Sequence, residues 1–171
     1  MAAIHFTSRL FGVVAAGMIL LSIGVVCQMV FVRAVLGQSS IWQTEFVTFS
    51  LVAATFIGAP FILLTRGHVG VDVVPLLVGV SMRRALHLAG SVLALAFFAF
   101  FLYASLPWWY ESWQKGETTS SIWRARLWIP HLAVPVGLAL LCLQLIAEAY
   151  LVASHRQLPF GLPPDERREL P

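Results

Sequence analysis

Residues 85–110 read ALHLAGSVLALAFFAFFLYASLPWWY, 26 consecutive positions without Asp, Glu, Lys or Arg. As a helix rising about 1.5 Å per residue, this stretch exceeds the roughly 30 Å hydrocarbon core of a bilayer. Outward from it, three more stretches avoid charge in the same way: 10–32, 46–65 and 127–147, of 23, 20 and 21 residues. One such stretch is compatible with a buried core helix. Four in 171 residues define a polytopic membrane protein. Composition agrees: 59% of the chain is hydrophobic and 11% charged, against roughly 25% charged in soluble domains.

The predicted fold is all-α, with transmembrane helices over about 10–32, 46–65, 85–108 and 127–148. Between spans 2 and 3, VGVDVVPLLVGVSMRR is apolar but too short to cross. Val71, Val74, Leu77, Val78 and Met82 share one helical face, with Asp72 and Arg83-Arg84 at the polar ends. Pro75 suits a first turn, where a missing N–H costs least. Residues 71–84 therefore read as a short in-plane amphipathic helix, the alternative being a loop that feeds an early start to span 3. Residues 1–154 form a single transmembrane domain. The charged, Pro-rich segment 155–171 reads as a polar, disordered tail.

All six tryptophans (Trp42, Trp108, Trp109, Trp113, Trp123 and Trp128) lie in or beside connectors 1 and 3. Four spans place those connectors on one side, so the Trp girdle decorates one interface. With the N-terminus inside, inner segments carry seven Lys/Arg and outer segments four. The positive-inside rule then sets both termini in the cytoplasm. Without Arg167 and Arg168, distant from the last span, the margin falls to five against four.

The spans lack chemistry at their centres. Glu45 opens span 2, Glu148 closes span 4, and Arg33, Arg66 and Arg126 stand at other ends. Charges at span ends ordinarily snorkel into the headgroups; a polar contact with another subunit is the functional reading for Glu45, satisfied by a partner's Arg or by Arg33. His87 and His131 fall at opposite ends of spans 3 and 4, a poor arrangement for haem ligation. Cys27 and Cys142 sit in apolar stretches as small hydrophobes. The net charge of +3 gives no reason to invoke nucleic acid. Small residues recur at Ser50, Ala54 and Gly58, with shorter stripes at Gly90-Ala94 and Ala133-Gly137, and such stripes let helix backbones approach closely.

Trp42 and Glu45 before span 2, Gly58 within it, and Arg66, Gly67, His68, Val71 and Asp72 after it form an ordered set. Gly116, Thr118, Thr119, Ser120, Ile129, Pro130, Pro135 and Gly137 form a second, entering the last span. Together they resemble the small permease subunit of tripartite ATP-independent periplasmic (TRAP) transporters, the DctQ-like family, over about residues 8–150. The resemblance implies a bacterial inner-membrane protein and not an enzyme. It implies a subunit bracing a large permease that carries the sodium and substrate sites, with no cofactor on this chain. A periplasmic binding protein would deliver an organic acid to the pair for ion-coupled uptake. Glu45, Gly58, Arg66, Gly67, His68, Asp72, Pro130 and Gly137 are the family positions. Trp42, Glu45, Trp113, Lys115 and Glu117 are candidate partner contacts, and Arg66, Arg83 and Arg84 candidate contacts to membrane lipids.

Two other classes fit the size and span count. A haem- or quinone-linked membrane anchor needs histidines at matched depth. A stand-alone homodimeric transporter needs a membrane-embedded acid, for which Glu45 is the outer-side candidate.

Overall fold

The computed structural model describes residues 2–38, 41–65 and 78–161. Four long helices make up the fold: α1 (Ala2–Leu36), α2 (Trp42–Leu64), α3 (Val80–Gln114) and α4 (Trp128–Ala153), followed by a short 3₁₀ turn at Pro159–Gly161. All four are long and apolar enough to cross a membrane. The chain is thus an all-helical, multi-pass membrane protein. At 35 residues each, α1 and α3 reach about 52 Å, well beyond the apolar core. Both overrun the predicted spans: α1 begins at Ala2, and α3 begins at Val80 and continues to Gln114.

The predicted in-plane helix over 71–84 falls mainly outside the described residues, which resume at 78. Its last part, from Val80, belongs to α3. Arg83 and Arg84 therefore sit in the first turns of a spanning helix, not at the end of an interfacial one. The segment after α4 packs back on the bundle as far as it is described: Phe160 meets His87 of α3 edge-on at 4.8 Å, and Pro159 is buried. Residues 162–171 lie outside the described part.

The helices pack in the order α1, α2, α4, α3, with a smaller α1–α4 contact. α4 is accordingly the core element, burying Val134, Gly137, Leu138, Leu141, Leu145 and Val152 among others. α3 leans chiefly on α4, with a smaller contact to the turn at Pro159–Gly161, and buries only Arg83, Ser105 and Ser112, leaving Leu93, Phe97 and Phe100 outward. Side chains tie the ends together. Ser8 near the start of α1 donates to Gln144 toward the end of α4 (3.0 Å), and Arg84 near the start of α3 lies 3.1 Å from His155 beyond α4. At the other end Trp42 and Trp123 meet at 6.3 Å. Connectors 1 and 3 share one side, as the tryptophan distribution required.

Small residues explain the close packing. A Cβ on Gly58 of α2 would come 3.1 Å from that of Ala15 in α1, and one on Gly12 would overlap the ring of Phe61. On α4, Gly137 faces the backbone of α2 at Phe56, where a Cβ would overlap the carbonyl. Ser50, Ala53 and Ala54 are buried too. The stripes of spans 2 and 4 thus serve packing within the bundle, whereas Gly90 of α3 faces open space.

Candidate functional site

The best-built polar region is the end of the bundle that carries connectors 1 and 3. α3 stops there in a Schellman cap. Gly116 takes the left-handed conformation (φ 59°), its N–H bonds Trp113 O (3.2 Å), and the Glu117 N–H bonds Ser112 O (3.2 Å). Glycine carries no Cβ penalty at this position. The chain then folds into a hairpin. The Thr119 N–H bonds Ala125 O (3.0 Å), the Ala125 N–H bonds Thr119 Oγ1 (3.1 Å), and the Leu127 N–H returns to Glu117 O (3.0 Å). Pro130 lies in the first turn of α4, where an N–H would have no helical partner.

Beneath the hairpin, Ser112 joins three elements. Its hydroxyl donates to Glu117 Oε2 (3.0 Å) and accepts from His131 Nδ1 (3.0 Å), while the His131 ring stacks on Trp108 at 3.8 Å. A carboxylate only accepts, so the single hydroxyl proton goes to Glu117 and the imidazole supplies the other. The residue types are those of a hydrolase triad, but the serine lies between acid and base and is 1% exposed. No substrate can reach it, and the arrangement is a clasp. Beside it, Trp109 Nε1 donates to Trp128 O (3.2 Å), so this indole is satisfied within the bundle.

Glu45 faces the hairpin across a niche of about 520 Å³ that includes Thr44, Thr48, Thr118, Thr119 and Ser120. Its Oε2 is buried without a hydrogen-bond partner. Of the candidate partner residues, Trp42 and Glu45 thus come together against connector 3. Trp113 stacks on Trp109, and Lys115 pairs with exposed Glu111. Glu117 is turned inward to Ser112.

Residues 22–155 match the sequence model of the tripartite ATP-independent periplasmic transporters, DctQ component. The match spans most of the chain. This chain belongs to the DctQ family. It is therefore a membrane component of a TRAP transporter, working with partner subunits; the family is one of transporter components and not of enzymes. No curated protein matches the chain.

Within this DctQ component the motif positions divide by place. Gly58, Pro130 and Gly137 shape helix contacts and a helix start, and Glu45 lines the hydroxyl-rich niche. Arg66, Gly67, His68 and Asp72 lie outside the described residues. Of the residues expected at lipid headgroups, Arg83 is 1% exposed, inside the protein, and Arg84 contacts His155. The charge-based reading of the sequence passed over the neutral polar pairs within the bundle, Ser8–Gln144 and Gln43 Nε2 to Gln28 Oε1 (3.1 Å). It also passed over Ser8, Gly12, Ala15 and Ser22, the buried small face of α1. Glutamines inside apolar stretches, and small residues spaced by four, three and seven, were the available signals.

Proposed function

We propose that this chain is the fixed, non-transporting membrane subunit of its TRAP transporter. It braces a large permease subunit in the bacterial inner membrane, with both termini cytoplasmic. The large subunit carries the sodium and substrate sites, and the system takes up an organic acid by ion coupling. Connectors 1 and 3 face the periplasm and help dock the substrate-binding protein, with the Glu45 niche receiving a cationic side chain.

One observation carries the scaffold reading. Among the described residues the side-chain pairs that tie α1 to its neighbours, Ser8–Gln144 and Gln28–Gln43, are neutral, and the charged residues of the helices, Glu45, Arg83 and Glu148 among them, stand toward helix ends and leave the helix middles uncharged. A protein that moves ions or acids through itself keeps ionisable groups or broken helices near the membrane centre. The unpartnered Oε2 of Glu45 supports the docking reading, because a buried carboxylate oxygen is costly until a cation or donor meets it.

Purification in mild detergent tests the assignment. The chain should retain a larger multi-span membrane protein, and cells lacking this chain should lose uptake while still making that protein. Recovery of the chain alone, with uptake intact in its absence, would remove the assignment.

A further inference from the structure

A cavity of about 640 Å³ opens between α2 and α4 below the connector 3 hairpin. Its walls are nearly all apolar: Phe46 and Ile57 of α2, Val136 of α4 and Met18 of α1 mark its extent. From Phe46 to Ile57 is eleven residues, or about 16 Å along the helix, running from the connector end toward the middle of the bilayer. Charge appears only where Trp123, Arg124 and Arg126 line the groove, at the hairpin. Both arginines are exposed, and among the described residues neither forms an ion pair.

Arg124 is held in the left-handed region at φ 48°, a strained conformation for a residue that carries a Cβ. The hairpin holds it there through Arg124 N–H to Ser121 O (3.2 Å) and Ala125 N–H to Thr119 Oγ1 (3.1 Å). Arg126 immediately precedes the cap of α4, and the positive end of that helix adds to the attraction for an anion. The molecule thus presents an apolar slot of acyl-chain length with two guanidiniums and an indole at the headgroup level.

We propose that this groove is a binding site for an anionic phospholipid of the leaflet on the connector 1 and 3 side. Arg124 and Arg126 hold its phosphate, since guanidinium planes match phosphate oxygens in pairs. Trp123 sits at the glycerol level, and an acyl chain follows α2 toward Ile57 and Met18. A partner helix is the rival occupant, and the charge at the mouth argues against it: a helix entering here would have to supply an anion at the same depth, which every phospholipid carries. The site rests on the groove alone and holds whichever leaflet that end occupies.

The test uses the complex purified with its partner subunits, stripped of lipid by detergent exchange and then given phosphatidylglycerol. Native mass spectrometry should show one phospholipid retained per copy of this chain. The double variant Arg124→Gln, Arg126→Gln should lower that retention about tenfold, and Val136→Trp, which obstructs the slot without touching the charge, should lower it as well. Arg156→Gln, at the other end of the bundle, should leave it unchanged. Equal retention by wild type and both groove variants would overturn the site. So would a photo-crosslinker at Ile57 that labels a partner subunit instead of lipid.

Discussion

Gly137 of α4 rests on the carbonyl of Phe56 in α2, the one acceptor that Pro60 deprives of its usual helical donor. Proline has no N–H, so the bond from position 60 back to position 56 cannot form. The bare Cα of Gly137 approaches where any Cβ would overlap that carbonyl. A Cα–H donated across a helix interface is a weak but real compensation. Gly137→Ala should therefore destabilise the bundle by about 1–3 kcal/mol, and Gly137→Val by more. Gly90→Ala, in open space on α3, should be neutral or stabilising by roughly 0.5–1 kcal/mol. Thermal unfolding of the detergent-purified complexes separates the two.

The Ser8–Gln144 bond closes α1 onto α4 inside an apolar environment. Replacing Gln144 by Leu should cost about 1 kcal/mol, because such bonds in membranes average somewhat less than that and seldom reach 2. A double-mutant cycle with Ser8→Ala measures the coupling directly. Uptake by the assembled transporter should survive the change, since the bond acts in packing and not in transport.

Ser112 holds Glu117 and His131 together beneath the hairpin. Ser112→Ala leaves both without their shared partner and should cost about 1–3 kcal/mol. The loss should be local. Hydrogen exchange of amides 117–127 should rise while exchange in α2 stays as in wild type.

Lys115, just past α3, is held above the ordinary lysine value of 10.5 by its hydrogen bond with Glu111, then by the carboxylate's charge. A raised base contributes stability below its unfolded pKa and loses it as pH climbs through the folded value. Both partners are exposed, so the contribution is small at any pH. Lys115→Met should leave the melting temperature at pH 7 within error. Any difference seen at low salt should vanish as pH climbs through the raised folded pKa of Lys115.

Glu45→Gln should weaken the interaction of the periplasmic binding protein with the membrane complex about tenfold or more, and Glu45→Lys further, read by surface-based binding with the complex in nanodiscs. Unchanged binding in both variants would remove Glu45 from the docking surface.

Bilayer thickness forces the length of every apolar run, so the four spans and the shared side of connectors 1 and 3 could be read from charges and tryptophans alone. Hydropathy does not encode which helix packs on which. The central place of α4 depends on the faces of Ala133, Gly137 and Leu141, and a lipid-facing Leu reads the same as a buried one. The helices α1 and α3 run past the predicted spans, because a helix can continue into water once its turns are paired internally. The place of Arg83 went unseen for a related reason: an arginine at a span end ordinarily snorkels, yet here it is enclosed within the first turns of α3. Glu45 was visible as a lone acid beside Trp42. Its hydroxyl-lined niche was not, since Thr118, Thr119 and Ser120 arrive from seventy residues away.

In the proposed role this chain braces a transporter and moves nothing itself. Proteoliposomes measure that directly, with uptake of a radiolabelled organic acid under a sodium gradient. This chain alone should give only the background of empty liposomes, and uptake should appear once the large subunit and the loaded binding protein are added. Sodium-driven uptake by this chain alone would overturn the bracing role.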